Sequence, residues 1–223
     1  MVKIIGAVKR LRSVWCGFLL VFGGGRVMVR PMTDESFNLA GKILLAMPAL
    51  ADPRFHRAVI FMCAHDENGA LGLIVNHRLP NLDFSTLLQK MQMDDEVFGD
   101  LQGLDMPIFS GGPVEGGRGF LLHEADFKDK DTIRVTNDFA VTGTLDALQK
   151  IAKGEGPEQS LFILGHAGWG KGQLEREIGE GSWLVSEPKR STIFHEVKDE
   201  VWELSVQDMG FDPSLLSHTS GHA

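Results

Sequence analysis

The chain has 223 residues, 43% hydrophobic and 23% charged, with 26 glycines and a formal net charge of −8. That is enough apolar chain for one globular domain with a sizeable core, and no apolar run of about 20 residues exists to cross a membrane as a helix. Cys16 and Cys63 make neither a disulfide framework nor a zinc-ligand pattern, which fits a reducing, cytoplasmic setting.

Charge separates the first residues from the rest. Residues 1–31 carry Lys3, Lys9, Arg10, Arg12, Arg26 and Arg30 and no acidic residue, leaving 16 basic against 30 acidic residues, a net of −14, on the body. The basic stretch precedes an apolar run, Val14 to Phe22, and three glycines. This has the outline of an export signal but lacks an A-x-A-like cleavage site. It also fits an extension upstream of Met28 or Met32, or a basic arm. Residues 1–31 are therefore set apart as a leader, and 32–223 are read as a single domain with a frayed tail after about 217. Export is the alternative localisation if the leader acts as a signal.

In the body, the run Ile43 to Met47 is closed by Pro48 and reads as a strand. "AVIFMCA", Ala58 to Ala64, is a second strand, and "LGLIVNH" a third, with Asn68-Gly69 between them as a hairpin signal. Leu82, Leu87, Leu88 and Met91 lie at helical spacing, and Asp83 or Ser85 can cap that helix. "MPIFSGGPVEGGRGFLLHE" holds two short strands around a glycine-rich turn, and "IRVTNDFAVTG" reads as strand, turn, strand. "TLDALQKIAKG" is an amphipathic helix that starts after Thr144 and ends at Gly154. "SLFILG" is a strand followed by a glycine-rich turn and the helix "QLEREIG". Trp183 to Val185 form a short strand, and Lys198 to Met209 a last helix stopped by Gly210. Strands outnumber helices, and hairpins mix with helix-linked strands. The expected fold is mixed α/β (α+β): a compact domain with a mixed, strand-rich sheet covered by helices.

The motifs carry little complete chemistry. Gly165, Gly170 and Lys171 fit G-x-x-x-x-G-K, but Gly172 stands where a phosphate loop needs Ser or Thr for magnesium. "FSGGP" lacks the first glycine of a nucleophile elbow, since Ile108 occupies it, so Gly111, Gly112 and Pro113 read as a turn leaving a strand. None of the eight histidines belongs to a compact metal-ligand motif. His123 beside Glu124 at a strand end is the best partial pair. Cys63, inside an apolar strand, reads as a core thiol. Arg118, between glycines, is the cation best placed to clamp an anion. The acidic body has no basic patch, so direct DNA binding is not supported.

Three stretches together resemble the YqgE/AlgH family of bacterial proteins: "LLAMPALADPRFHRAVIFMCAHDENGALGLIVN", "FSGGPVEGGRGFLLH" and "LGHAGWGKGQLEREIGEGSWL". The resemblance runs from about Phe37 to Leu216 in the family's order. It implies a compact α/β domain with a mixed sheet and a cytosolic setting. One branch of the family is named a transcriptional regulator of alginate production, so the resemblance implies a regulatory or interaction role. It supplies no agreed catalytic residues to carry over. The family's pattern in the last stretch is Gly-Tyr-x-x-Trp-x-x-Gly-Gln-Leu-Glu. Gly165, Trp169, Gly172, Gln173, Leu174 and Glu175 match it, His166 replaces the tyrosine, and Gly170 and Lys171 fall on variable positions.

Two functions follow as expectations. The first is a non-enzymatic, regulatory or interaction protein with a protein partner. The second is a small-ligand-binding protein or enzyme with a pocket between residues 110–118 and 165–173. That pocket would draw on Ser110, Gly111, Gly112, Arg118, His123, His166, Trp169 and Lys171. Neither reading invokes a metal or cofactor.

Overall fold

The computed structural model describes residues 38–90, 99, 101, 104–143 and 145–216. The leader 1–31, the Thr144 cap and the tail from 217 lie outside the described residues. The described chain forms nine strands in one sheet: β1 (Ile43–Ala46), β2 (Val59–Asp66), β3 (Gly69–Ile74), β4 (Ile108–Ser110), β5 (Val114–Glu124), β6 (Ile133–Arg134), β7 (Phe139–Thr142), β8 (Ser160–Gly170) and β9 (Trp183–Ser186). The order is β6-β7-β5-β8-β3-β2-β1-β9, antiparallel along this path, while β4 pairs in parallel with β8. Five helices accompany them: α1 (Phe84–Lys90), α2 (Leu145–Ala152), α3 (Gln173–Gly179), α4 (Arg190–Ile193) and α5 (Val201–Asp208). This is the expected mixed α/β domain, with the sheet curled on itself. No helix among the described residues is long and apolar enough to cross a membrane.

Continuous apolar runs become strands because both faces of the sheet are covered. Period-two alternation sends Ile43 and Leu45 to the inside of the curl and Leu44 and Ala46 to the outside. Phe61 likewise points in, and Ile60 and Met62 point out. The inner core gathers Phe109, Phe120, Phe139 and Ile163, and α4 and α5 plug it with Ile193, Val201, Trp202 and Val206. Trp202 is anchored by its indole N–H, which donates to the Ala46 carbonyl at 2.9 Å. Outside, α3 covers one patch through Leu174, while α1 and α2 cover another through Phe84, Leu87, Ala147 and Leu148. Each large side chain so buried contributes about 1.5–3 kcal/mol.

Local signals set several boundaries. The β2–β3 hairpin turns on Glu67 and Asn68, with Asp66 opposite Gly69. Asp83 accepts from the Thr86 backbone N–H at 2.6 Å and from the Ser85 and Thr86 hydroxyls, which caps α1 and holds its carboxyl down to about 2. Gly154, at φ 75, ends α2. Two expectations change. "VEGGRGFLLHE" is one 11-residue strand, β5, where a short one was expected, and it flanks β8 on the side opposite β4. β8 also runs on through the expected turn to Gly170, because Ala167 to Gly170 pair with Gly72 to Gly69 of β3. Pairing overrides the weak strand propensity of glycine there.

The start of the last expected helix is a 3₁₀ turn, Lys198–Glu200, and it holds a half-buried cation. Lys198 Nζ donates to the Ile193 carbonyl at 2.7 Å and lies 5.4 Å from the centroid of the Phe109 ring. Burial pushes its ammonium down from 10.5 to about 8. Acylation followed by peptide mapping is expected to show Lys198 gaining reactivity with a midpoint near pH 8. The folded value lies below the unfolded one, so the folded state loses this proton first as pH rises. Stability relative to Lys198→Met should therefore increase between about pH 8 and 10.5.

Candidate functional site

The segments 110–118 and 165–170 meet because β8 is the shared neighbour of β4 and β5. Gly111 donates its N–H to the Leu164 carbonyl at 2.7 Å, and Ser110 lies opposite Leu164 in the parallel register with its own N–H on the His77 carbonyl. The two segments pack main chain on main chain. A Cβ added at Gly112 would sit 2.5 Å from the His166 carbonyl oxygen, and one at Gly111 would sit 2.5 Å from the Ile163 side chain. A Cβ at Gly165 would sit 2.8 Å from the Gly112 oxygen. Gly165, at φ +75, also breaks the alternation of β8. Leu161 and Ile163 face the inner core before it, whereas Ala167 and Trp169 face the outer one after it.

That break puts His166 beside the inner-core rim. Its ring meets the Phe120 ring edge-on, with centroids 6.0 Å apart. Arg118, two residues before Phe120 on the same strand face, holds its guanidinium 5.4 Å from the same ring. Between Val114, paired with His166, and Gly119, paired with Leu164, residues 115–118 bulge from the ladder. Glu115 has φ 48, and its carboxylate accepts from Arg118 Nη1 at 2.5 Å to close the bulge. Among the described residues, Arg118 Nη2 and His166 Nδ1 are both buried without a hydrogen-bond partner. Burial pushes the His166 imidazole below its usual value, Glu115 pulls it up and Arg118 pushes it further down.

Three other predicted residues lie elsewhere. His123 is fully buried on the opposite face of β5, edge-on to Phe127, with Nδ1 2.6 Å from the Glu124 carbonyl and Nε2 2.9 Å from the Thr142 hydroxyl. Burial lowers its basicity, and both ring nitrogens are engaged, so neither is open to a ligand. Trp169 points to the outer core. Lys171 is exposed in the two-residue turn between β8 and α3. Among the described residues, Glu124, Asp126 and Glu158 bring carboxylate oxygens within 4.8 Å of one another, but Glu124 already accepts from Arg190 Nε at 2.8 Å.

The family-pattern residues form a clamp that sequence reading does not reveal. Glu177 Oε2 accepts from the indole N–H groups of Trp169 at 2.9 Å and Trp183 at 2.8 Å, and Glu177 Oε1 accepts from Gln173 Nε2 at 2.8 Å. Gln173 Oε1 in turn accepts the Gly170 N–H at 3.0 Å. Gly172, at φ 67, turns the chain into α3, Leu174 enters the core, and Glu175 meets His65 Nε2 at 3.1 Å. Residues Gly165 to Gly170 are therefore strand and Gln173 to Glu177 brace it, which leaves no phosphate-wrapping loop at Gly165–Lys171. Glu177 and Trp183 both lie beyond the quoted pattern, and the spacing of four between Gln173 and Glu177 on a helix was the available signal.

The exposed glycines behave differently from the buried ones. Among the described residues, a Cβ at Gly116 meets nothing within 4 Å, and at Gly168 and Gly170 it makes only contacts of 3.8 Å or longer. None of the three has a left-handed φ. With Val114, 39% exposed, they leave a bare main-chain face at the rim of the curl.

These features define a curled-sheet α/β domain braced by a tryptophan–glutamate clamp, with a glycine-rich rim. The AlgH-like family model matches residues 43–214, and the chain belongs to that family. It is 44% identical over 193 residues to a UPF0301 protein of Paracoccus denitrificans, covering 85% of this chain and all of the relative. A UPF0301 protein of a Jannaschia species is 43% identical over 86% of this chain and 99% of its own length. The solution structure of the AlgH protein from Pseudomonas aeruginosa matches with a TM-score of 0.66 and 33% identity, over 86% of this chain and all of that one. A Corynebacterium diphtheriae crystal structure shares the fold, with a TM-score of 0.62 at 20% identity over 82% of this chain and 92% of that one.

Proposed function

We propose that this chain is a non-enzymatic regulatory protein that acts by contact, through the rim formed by Val114–Arg118 and His166–Gly170. The observation that carries this reading is the set of exposed strand glycines that the fold does not require. Glycine inside a strand costs about 0.5–1 kcal/mol relative to alanine, and it often marks a place where another backbone or a ligand approaches closely. His123, the other histidine in the predicted site, is bonded within the fold, as are His65 and His77. The net charge of −14 on residues 32–223 argues for a protein or ligand partner over direct contact with DNA. A cytoplasmic setting and a transcriptional role fit this reading, as does a single domain from residue 32 preceded by a separate leader.

A photo-crosslinking residue at Gly116 in the full-length chain, expressed in its own cells, is expected to yield discrete adducts. The same residue at exposed Glu155 is the control. Equal adduct patterns at both positions would exclude the rim as the contact surface. A second reading, a small-ligand site on the same rim, is favoured by the unpartnered nitrogens of Arg118 and His166.

A further inference from the structure

We propose that Arg118 and His166 bind a small monocarboxylate at the rim of the curl. This rests on the ligand-binding reading of that face and adds the chemical class of the ligand. Arg118 Nη2 and His166 Nδ1 stand on adjacent strands, both groups lie against Phe120, and both atoms are buried without a partner among the described residues. Buried polar nitrogens almost always have a hydrogen-bond partner, so two vacant ones packed against the same ring mark a place for acceptor oxygens. The Arg118 side chain is only 16% exposed, and its Nη1 bond to Glu115 fixes the guanidinium plane with Nη2 left over. Because burial keeps the imidazole neutral, the Nδ1–H tautomer offers a second donor.

The charge balance selects the ligand. Arg118 and Glu115 together carry no net charge, so the Glu115 carboxylate opposes a phosphate dianion about twice as strongly as a singly charged acid. A monocarboxylate brings one charge and two oxygens, one for each vacant nitrogen. Access lies across the bare positions. Among the described residues Gly116 has open space where a side chain would begin, which is the approach to Nη2 and Nδ1, while Gly168 lies beside the other edge of the His166 ring, with Cδ2 and Nε2 at 3.8 and 3.9 Å from a built Cβ.

The test is a ¹⁵N NMR titration of the full-length chain with acetate, inorganic phosphate and acetamide. Acetate is expected to give saturable shifts at Gly116, Gly168 and the His166 ring. Arg118→Gln and His166→Phe should each weaken acetate binding by about tenfold or more, while His166→Asn, which retains a donor near the Nδ1 position, should restore part of it. If Arg118→Gln fails to fold, the two His166 variants carry the comparison. N-acetylglycylglycine binding more tightly than acetate identifies a chain terminus as the source of the carboxylate, and equal binding identifies a free acid. Phosphate or acetamide saturating these residues while acetate does not would overturn the carboxylate class but leave the ligand site standing. No saturable shift at these residues with any probe would overturn both. Acetate shifts that persist unchanged in Arg118→Gln and His166→Phe would also overturn the proposal.

Discussion

Gly112→Ala is expected to destabilise the protein by at least about 3 kcal/mol, and Gly116→Ala, four residues on, to be neutral or stabilising by about 0.4–1 kcal/mol. At Gly112 the backbone has φ +143, and the new methyl would be driven into the main chain of His166 and Ala167 on β8. Neither strand can retreat, because Gly111 is bonded to Leu164 and Val114 is paired with His166. At Gly116 a methyl meets no atom of the described residues within 4 Å. For a domain of this size the Gly112 change should lower the melting temperature by roughly 6–12 °C or more. Thermal and urea unfolding of the two variants side by side checks it. Equal melting temperatures would mean that the tight approach of the two segments is not what these buried glycines are for.

Glu177→Ala is expected to cost about 2–4 kcal/mol, because one carboxylate accepts three side-chain donors and its loss strands two buried indole N–H groups. The outer core should loosen at the same place, since Trp169 and Trp183 pack edge-on with ring centroids 5.8 Å apart. Glu177→Gln keeps an acceptor oxygen but cannot serve all three donors, so an intermediate loss is expected. Tryptophan fluorescence during denaturant unfolding reads both variants. A Glu177→Ala midpoint within error of the parent would contradict the clamp.

The sequence made some of this legible and hid the rest for physical reasons. The runs at Ile43–Met47 and Ala58–Ala64 were readable as strands because both sheet faces are covered and every position is apolar. Asn68-Gly69 announced the hairpin, and the periodicity of "TLDALQKIAKG" announced α2. Glycines misled in both directions. Gly168 and Gly170 look like a turn, yet they lie in β8 because β3 offers them partners, a nonlocal fact. "VEGGRG" looks like a turn between two strands, yet it is a bulge within one.

For the site, Arg118 and His166 could be named one at a time, but their meeting at Phe120 depends on the register of Val114 with His166 and on the break at Gly165. Spacing alone does not encode either. His123 shows the converse. Its place at a strand end suggested a site, but two-residue alternation from Leu121 sends it to the outer face, where Thr142 and the Glu124 carbonyl take both nitrogens.

On the proposed reading, the exposed rim glycines serve contact, not folding. The most direct measurement is quantitative capture from the protein's own cells with full-length parent chain and Gly116→Arg, after confirming equal melting temperatures. The account predicts that the proteins specifically retained by the parent are lost from the variant. Retention of the same set by a folded Gly116→Arg chain would contradict it.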